Sequence, residues 1–199
     1  MIYRTFDEIP LLAYDVILAD PPTDFETWSD KGHGKSQHAH YDVMSWEALE
    51  ALNVGYLGRG DAILMCWGCW PTIDRTLSMI RAWGFKYVTG GAWTKLTKYG
   101  KHRWGTGYRL RSITEPYFIA TLGSPETIRT VKNIIETKYL STIRAENLGH
   151  SRKPDEQYEV CERIMPHAIR YLELFSRKTR PGWDAFGNEV GKFDEVEPA

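Results

Sequence analysis

The sequence predicts a single α/β domain over residues 1–199, built on a mostly parallel sheet. Two observations favour this fold class: short apolar runs alternate with segments of helical character, and turn residues separate the two. Hydrophobic residues make up 42% of the chain and charged residues 26%, which excludes a disordered or fibrous protein. A chain of this length can bury a substantial core without disulfide or metal staples.

Six apolar runs predict the strands. They are residues 14–19, 61–67, 85–93, 113–121, 168–175 and 183–186. Three segments between them carry helix signals. They are residues 46–52, capped by Ser45; residues 71–82, ended by Gly84; and residues 154–164, stopped by Pro166.

Composition and patterning exclude several classes of protein. No apolar run approaches the roughly 20 residues that a bilayer-spanning helix needs. The start of the chain, Met1-Ile2-Tyr3-Arg4, lacks the pattern of a secretory signal. Three cysteines, an odd number, argue against a disulfide framework and indicate a reducing compartment, so we expect a cytoplasmic protein. The net charge of -1 excludes a polycation, so any nucleic-acid binding needs local basic patches.

Two stretches interrupt the alternation, and we expect substrate loops at about residues 23–44 and 94–112. The first is rich in Gly, His, Ser and Lys. The second contains Lys95–Arg111, a basic run with interleaved aromatic residues and no acid. Because ligands of open α/β sheets bind beyond the carboxyl ends of the strands, both loops are candidates for contacting substrate. Basic and aromatic residues together favour nucleic acid.

The most informative motif is Asp20-Pro21-Pro22-Thr23, directly after the first apolar strand. The Asp20 carboxylate can accept a hydrogen bond from an amino group, and the two prolines have no N–H donors of their own. We therefore expect carbonyl oxygens without competing amides, in an acceptor-rich pocket suited to a flat amine such as an exocyclic base nitrogen. The motif alone is also common as a turn that ends a strand.

An ordered set of short motifs accompanies this one over nearly the whole chain. It comprises Asp20–Pro22, His40-Tyr41, Met44-Ser45, Trp67, Trp83–Phe85, Gly90–Trp93, Gly105–Tyr108, Arg111-Ser112, Glu115-Pro116, His150–Glu156, Glu173–Arg177, Arg180–Asp184 and Gly187–Glu189. With this set the chain resembles the family of the 70-kDa subunit of the mRNA adenosine methyltransferase (MT-A70 type), in its compact bacterial or phage form. A single motif is weakly specific, whereas the ordered set is highly specific.

The resemblance implies a Rossmann-like fold of a methyltransferase that uses S-adenosylmethionine, with helices on both faces of the sheet and a permuted motif order. The catalytic loop then lies near the N-terminus and much of the cofactor site near the C-terminus. This order agrees with the lack of a Gly-x-Gly-x-x-Gly motif after any predicted strand. The implied reaction is methyl transfer to the N6 amine of adenine in nucleic acid, with DNA favoured over RNA, in a bacterial or phage-infected cell.

The resemblance and the residue chemistry together assign individual residues. The expected catalytic residues are Asp20, Pro21, Pro22 and Thr23, and the expected cofactor-binding residues are Asp20, Lys153, Arg177, Asn188 and Glu189. The expected substrate-binding residues are Tyr41, Lys98, Lys101, Arg103, Tyr108 and Glu115. In the family, the counterpart of Lys153 holds the methionine carboxylate of the cofactor, while residues after the last two strands reach its ribose and adenine.

Thr23 is the main departure from the family pattern, which has an aromatic residue at this position, most often Trp, that stacks on the target base. Phe25, Trp28 or Tyr41 could compensate for its absence. Otherwise the chain is a catalytically weak nucleic-acid-binding member, or it methylates another planar amine. The oligomeric state is left open, with a homodimer among the alternatives.

Three further features have simpler readings. Glu115 interrupts an apolar strand and needs a partner, so it either pairs with Arg109 or Arg111 or lies in the wall of the active site. Cys66 and Cys69 resemble a redox pair in their spacing, but we expect structural cysteines. The histidines at positions 33, 38 and 40 lack an accompanying ligand motif, so we expect a polar loop there and no metal site.

Overall fold

The strands and helices of the computed structural model lie within residues 1–23, 43–97, 99–104, 109–128, 130–132, 134–138 and 152–194, the part of the chain that the structure describes. The strands there are β1 (Ile2–Tyr3), β2 (Tyr14–Ala19), β3 (Gly58–Trp67), β4 (Lys86–Leu96), β5 (Thr114–Leu122), β6 (Ile134–Lys138), β7 (Tyr171–Leu174) and β8 (Trp183–Phe186). The α-helices are α1 (Trp46–Glu50), α2 (Ile73–Ala82) and α3 (Glu156–Ile164), with short 3₁₀ turns at Phe6–Glu8, Val54–Leu57 and Trp70–Thr72.

The eight described strands form one sheet in the order β1-β8-β7-β2-β3-β5-β4-β6. Every neighbouring pair is parallel except those that involve β5, which runs antiparallel to both β3 and β4. The prediction of a mostly parallel α/β sheet is therefore confirmed. The reversed β5 was not predicted, because alternation of strands and helices says nothing about a strand that returns beside its predecessor without a crossover helix.

Helices cover both faces of the sheet, as the resemblance implied. Side chains alternate along β3, so that Leu64 and Cys66 belong to the core on one face while Met65 and Trp67 belong to the core on the other. The first core is completed by Trp46 and Leu49 of α1, by Met79 and Ile80 of α2, and by Trp83, which directly follows α2. The second core is completed by residues of α3, among them Tyr158 and Cys161.

Local sequence signals correctly predicted the bounds of two strands and the caps of two helices. The predicted bounds of the strands at residues 14–19 and 183–186 agree with β2 and β8. Ser45 caps α1, since its hydroxyl accepts a hydrogen bond from the Ala48 N–H at 3.1 Å. Gly84 follows α2 with φ of 86°, a backbone conformation that favours glycine. Within the described ranges, none of the helices has the length and apolar character needed to cross a membrane.

Several predicted bounds differ from the structure. The expected loop at 94–112 begins later, because β4 continues to Leu96. The helix expected from Pro154 begins at Glu156. The strand expected over Ala168–Phe175 is shorter, since β7 covers only Tyr171–Leu174. The edge strands β1 and β6 were missed, and β1 is too short for any periodic pattern.

The sheet order places the end of β2 at a crevice. β2 lies between β3 and β7 in the sheet. On one side it pairs with β3, the next strand in the sequence, and on the other side it pairs with β7, which comes much later in the sequence. In open α/β sheets, ligands bind at the carboxyl ends of strands where the order reverses in this way. Asp20, the first residue after β2, lies at this point.

Candidate active site

Asp20 and Lys153 form the central ion pair of the site. The Asp20 main-chain N–H donates a weak hydrogen bond to the Leu174 carbonyl at 3.4 Å, which holds the residue next to the end of β7. Its carboxylate oxygen Oδ1 lies 3.0 Å from Nζ of Lys153, whose side chain is only 9% exposed. The sequence separates these residues by most of the chain, and the fold brings them together.

Glu115 and Lys95 extend this pair into a four-residue charge network. A Glu115 carboxylate oxygen lies 3.8 Å from Nζ of Lys153, and the other lies 3.1 Å from Nζ of Lys95. Burial alone would lower the pKa of Lys153, but the charges of Asp20 and Glu115 outweigh it, and its pKa is raised. Burial opposes ionisation of Glu115 as well, yet Lys153 and Lys95 keep the pKa of this carboxyl below its usual value. Lys153 and Glu115 are therefore both charged at neutral pH.

Two tryptophan rings lie against the cations of this network. Nζ of Lys153 is 5.3 Å from the centre of the Trp67 ring, and Nζ of Lys95 is 4.7 Å from that of the Trp93 ring. The two rings meet edge to face at 6.2 Å. The Trp67 indole N–H also donates to Gln157 Oε1 at 2.7 Å, which ties β3 to α3. These cation–π and hydrogen-bonding contacts fix where the two ammonium groups lie.

The backbone after Asp20 corrects one expectation. The Pro21 carbonyl accepts a hydrogen bond from the Thr23 N–H at 2.8 Å, and the Pro22 carbonyl accepts one from the Met44 N–H at 2.9 Å. The expectation of carbonyls without competing amides is therefore wrong, because the turn itself supplies the amides. Each carbonyl oxygen still has a second lone pair. Thr23 and Met44 also form a parallel bridge, which closes the base of the first expected substrate loop.

An open cleft lies beside the Asp20–Lys153 pair. Its lining is mostly charged or aromatic. It consists of Asp20, Arg152, Lys153, Asp155, Gln157, Tyr158, Glu173, Phe175, Arg177, Lys178 and Phe193. Phe175 has φ of 63°, in the left-handed region that non-glycine residues rarely occupy. Such strained residues cluster at functional sites.

Three of the expected cofactor residues, Asp20, Lys153 and Arg177, line this cleft. Glu189 lies next to Arg177, and the distance between Oε2 of Glu189 and Nη1 of Arg177 is 3.9 Å. The other oxygen of Glu189 accepts a hydrogen bond from Lys192. Oε2 is buried and has no hydrogen-bond partner in the described residues, so it remains available to a donor. Asn188 is exposed in the turn after β8.

Glu173 forms a second polar centre on the cleft wall. One of its oxygens accepts hydrogen bonds from the Tyr158 hydroxyl at 2.9 Å and from the Ser176 hydroxyl at 2.6 Å. Burial raises the pKa of Glu173 to about 7, against the opposite effect of these two hydrogen bonds. Its charge state therefore changes near neutral pH.

The basic stretch after β4 turns back on itself. The Thr97 N–H donates to the Lys101 carbonyl at 2.7 Å, and the Arg103 N–H donates to the Lys95 carbonyl at 2.8 Å. Lys101 is exposed and Arg103 is half-buried. Exposed apolar side chains accompany them, at Tyr99 (77% exposed), Trp104 (67%) and Leu110 (85%). Tyr41, Lys98 and Tyr108, also expected to contact substrate, lie outside the described residues.

Two open alternatives from the sequence are now resolved. The ion pairs of Glu115 are with Lys95 and Lys153, so the suggested pairing with Arg109 or Arg111 is wrong and Glu115 lies next to the Asp20–Lys153 pair. The three cysteines at positions 66, 69 and 161 are free thiols. Among the described residues no group of His, Cys, Asp and Glu side chains could hold a metal ion, while the expected polar histidine loop lies outside them.

Sequence reasoning missed several residues of the site. Trp67, Glu173 and Phe193 had no assigned role, and Lys95 was predicted only as part of the basic stretch that contacts substrate, although all four lie in or against the charge network or the cleft. Glu173 carried a usable signal, because an acid inside an otherwise apolar strand requires a partner. Nothing local marks Phe193, whose position depends on contacts with distant segments.

Comparison with known proteins identifies relatives over nearly the whole chain. The MT-A70 family model matches residues 14–189. An N(6)-adenosine-methyltransferase MT-A70-like protein of Arabidopsis thaliana is 31% identical over 191 residues, which cover 94% of this chain and 25% of the plant protein. The Type II methyltransferase M.MunI of a Mycoplasma species is 29% identical over 203 residues, covering 94% of this chain and 82% of that protein.

Human METTL3, named as the catalytic subunit of an N(6)-adenosine-methyltransferase, is 26% identical over 199 residues. These cover 98% of this chain and 31% of the human protein. The chain thus spans about a quarter of the length of the plant relatives that it matches. It spans most of the length of M.MunI.

Proposed function

Because this chain belongs to the MT-A70 family, we propose that it is an enzyme that transfers a methyl group from S-adenosylmethionine to the N6 amine of adenine in nucleic acid. The observation that carries the proposal is the convergence of Asp20, Lys153 and Arg177 on one cleft at the carboxyl end of β2. The names of the relatives, which are adenosine methyltransferases and a Type II methyltransferase, support the same reaction.

The residues around the cleft suit the proposed cofactor. When bound, S-adenosylmethionine supplies a methyl group on a sulfonium, which is already an activated electrophile. Lys153 would hold the methionine carboxylate, since its raised pKa keeps it cationic. Arg177 and Glu189 would meet the ribose hydroxyls, and the unsatisfied Oε2 of Glu189 provides an acceptor that such a hydroxyl fits. Asn188 would contribute a polar contact to the ribose or the adenine.

Asp20 would act on the target base. The lone pair of an aromatic amine is delocalised into the ring, which makes the amine a poor nucleophile. An Asp20 carboxylate oxygen and the remaining lone pair of the Pro21 carbonyl would accept the two amine hydrogens. Holding both hydrogens favours a pyramidal nitrogen, which frees its lone pair and aims it at the methyl group. Pro22 and Thr23 would shape the turn that presents these acceptors.

The nucleic-acid strand would lie along the basic turn after β4. Lys98, Lys101 and Arg103 would contact phosphates, and the exposed Tyr99 and Trp104 offer stacking surfaces. Tyr41, Tyr108 and Glu115 are the other residues expected to contact the substrate. In a duplex, the adenine would have to leave the helix stack to reach Asp20. We favour DNA as the nucleic acid; a relative of which this chain covers 82% is named a Type II methyltransferase.

Thr23 supports a second candidate function, a catalytically weak nucleic-acid-binding member. Threonine cannot supply the base stacking that the family's aromatic residue provides, which is worth roughly 1–3 kcal/mol. The charged cleft argues against this alternative, since a protein that only binds nucleic acid need not keep Lys153 buried between two carboxylates. An enzyme that methylates a different planar amine would have the same cofactor cleft and would differ only in the pocket that binds the base.

One experiment separates these candidates. The protein is incubated with labelled S-adenosylmethionine and, in separate reactions, with duplex DNA, single-stranded DNA and RNA of mixed sequence. The nucleic acid is then digested to nucleosides, and the labelled species is identified by mass spectrometry. N6-methyladenine in DNA is the expected product. The variant Asp20→Ala is the negative control for adventitious activity.

The other outcomes are equally informative. A labelled nucleoside other than N6-methyladenine would replace the proposed target, while leaving the cofactor assignment in place. Binding of S-adenosylmethionine by calorimetry without any labelled product would favour the weak binding member. No binding of S-adenosylmethionine would overturn the proposal altogether.

A further inference from the structure

Trp70 begins the 3₁₀ turn that follows β3, and 46% of its surface is exposed to solvent. Tryptophan side chains are highly buried on average, so this indole lies outside the core against the usual tendency. The indole N–H donates a hydrogen bond to Oγ1 of Thr114 at 3.1 Å. The ring is therefore held at its nitrogen while nearly half of the residue remains accessible to a ligand.

The backbone on both sides of Trp70 is well fixed. The Ser112 hydroxyl donates to the Thr114 carbonyl at 2.6 Å and accepts a hydrogen bond from the Thr114 N–H at 3.3 Å. The Gly68 N–H donates to a β5 carbonyl at 3.1 Å. Gly68 also packs so closely that a Cβ atom there would lie 2.9 Å from a ring carbon of Phe118. The indole thus has a defined place before any ligand binds, which reduces the conformational entropy lost on binding.

The turn lies at the same edge of the sheet as Asp20. β2 and β3 are parallel, with Ala19 opposite Cys66, so the two chains leave the sheet side by side at their carboxyl ends. Burial raises the pKa of the Cys69 thiol, the neighbour of Trp70, to about 11, and the charges of all four members of the charge network act on this thiol as well. The turn is therefore next to that network.

The basic stretch after β4 begins near the same place. Thr114, which holds the indole, is opposite Thr94 in the β4–β5 pair. The next residue of β4 is Lys95 of the charge network, whose N–H donates to the Ile113 carbonyl at 3.1 Å. β4 ends at Leu96, and the basic stretch continues from there. The exposed indole is thus adjacent both to the charge network and to the cations expected to contact phosphates.

From this arrangement we propose that Trp70 binds the substrate strand by stacking on a nucleobase next to the adenine that is methylated. The inference rests on the proposed function. Asp20 has to meet the amine of the target base, whereas the indole is anchored to Thr114, beyond Glu115 and toward the basic stretch. A neighbouring base therefore suits this ring better than the adenine itself. Since an aromatic face stacks on any base, Trp70 would add affinity without reading sequence, and it would supply stacking that Thr23 cannot.

The test measures binding of a single-stranded oligothymidylate by fluorescence anisotropy. Thymine has no exocyclic amine for Asp20, so this probe reports on contacts with other bases. An abasic strand of the same length and charge is the matched probe. We expect Trp70→Ala to weaken binding of oligothymidylate by about five- to a hundredfold, the range that a lost base–aromatic stack gives. Binding of the abasic strand should stay within about twofold of the wild type. Trp70→Phe keeps an aromatic face and should lose less.

Tyr56→Ala is the matched control. Tyr56 is 64% exposed and lies in the 3₁₀ turn that precedes β3, at the opposite edge of the sheet. This variant should bind both strands as the wild type does. A second readout is kinetic, because a stack on a neighbouring base holds the strand equally well before and during methyl transfer. On adenine-containing DNA, Trp70→Ala should raise KM for DNA with little change in kcat, and calorimetry should show unchanged affinity for S-adenosylmethionine.

Each of several results would overturn the inference: wild-type affinity of Trp70→Ala for oligothymidylate, an equal loss on the abasic strand, a wild type that binds the two strands equally, or a lower kcat at unchanged KM. Failure of the proposed function looks different. If the wild type methylates adenine and one of these results is found, only the role of Trp70 is wrong. If the wild type methylates none of the nucleic acids offered to it, the proposed function is wrong, however Trp70→Ala binds the two strands.

Discussion

The ammonium group of Lys153 lies 3.0 Å from a carboxylate oxygen of Asp20, across the crevice between the end of β2 and the start of the α3 segment. Glu115 and Lys95 continue the series, so that two carboxylates and two cations alternate. Because each charge is stabilised by its neighbours, removing one member leaves a partly buried charge with weakened compensation. The network should therefore respond to substitution as a unit.

The first prediction concerns the cofactor. Lys153→Ala should weaken S-adenosylmethionine binding by roughly tenfold to a hundredfold, since a hydrogen bond to a charged group contributes about 1.5–3 kcal/mol. Asn188→Ala should weaken it as well, by less, because Asn188 is exposed and uncharged. Calorimetry gives both affinities, and Lys86→Ala on the exposed start of β4 is the control. Wild-type affinity in both site variants would remove this cofactor assignment.

The second prediction concerns Asp20. Asp20→Ala should abolish methyl transfer, and Asp20→Asn should be nearly as damaging because an amide presents donors toward the Lys153 ammonium group. Initial rates with labelled cofactor measure the effect, with circular dichroism as the check on folding. Asp74→Asn, an exposed position in the first turn of α2, should keep full activity. Near wild-type turnover in Asp20→Ala would contradict the proposed chemistry.

The third prediction concerns nucleic-acid binding. The triple variant Lys98→Ala, Lys101→Ala and Arg103→Ala should bind DNA more weakly and with a flatter dependence on salt. Each lost phosphate contact reduces the slope of log K against log salt by about 0.7–0.9, because fewer counterions are released. Fluorescence anisotropy over a salt series measures this slope. The exposed cations Arg81 and Lys86, replaced together by alanine, are the control. A slope like that of the wild type would place the strand elsewhere.

The fourth prediction concerns Thr23. Thr23→Trp should raise the affinity and turnover for adenine, because stacking on the base contributes roughly 1–3 kcal/mol. The Thr23 N–H bond to Pro21 is a backbone contact, so the turn can persist in the variant. Methylation assays on one adenine-containing duplex compare the two proteins. A loss of activity with an unchanged unfolding temperature would mean that the pocket is built around Thr23, and other planar amines should then be tested.

The fifth prediction concerns stability and pH. Burial raises the pKa of Glu173 to about 7 from its usual 4.5, so the folded state binds this proton more tightly than the unfolded chain. The contribution of Glu173 to stability is therefore complete below about pH 4.5 and falls as the pH rises toward 7. The full loss is about 3 kcal/mol, from the free energy that corresponds to a change of one in pKa.

Glu173→Gln provides the measurement for this effect, because its amide oxygen can still accept the hydrogen bonds from Tyr158 and Ser176. Urea unfolding of both proteins between pH 4.5 and pH 7.5 gives the difference in free energy of unfolding. The wild type should lose stability relative to the variant across this range. A difference that stays constant with pH would show that folding does not raise the pKa of Glu173.

The sequence determined much of the fold by itself. Apolar runs and caps marked the buried strands and the helices because both depend on short-range periodicity and on hydrogen bonding within a few residues. Asp20 was found because it follows such a strand directly, and Lys153 because it belongs to a motif at a helix start. The single-domain assignment and the individual site roles stay predictions.

Only the tertiary structure decided which distant groups meet. The antiparallel direction of β5 places Glu115 beside Lys95 and Lys153 and away from the arginines near it in sequence. Likewise, Phe193 contacts Arg152 and Arg177 because a C-terminal turn folds back over the cleft. Such pairings follow from the order and register of the strands. The ionic and aromatic contacts form only when folding brings together segments that are far apart in the sequence. Local sequence patterns do not indicate which distant residues will be neighbours, so the partners of each charged group are known only from the tertiary structure.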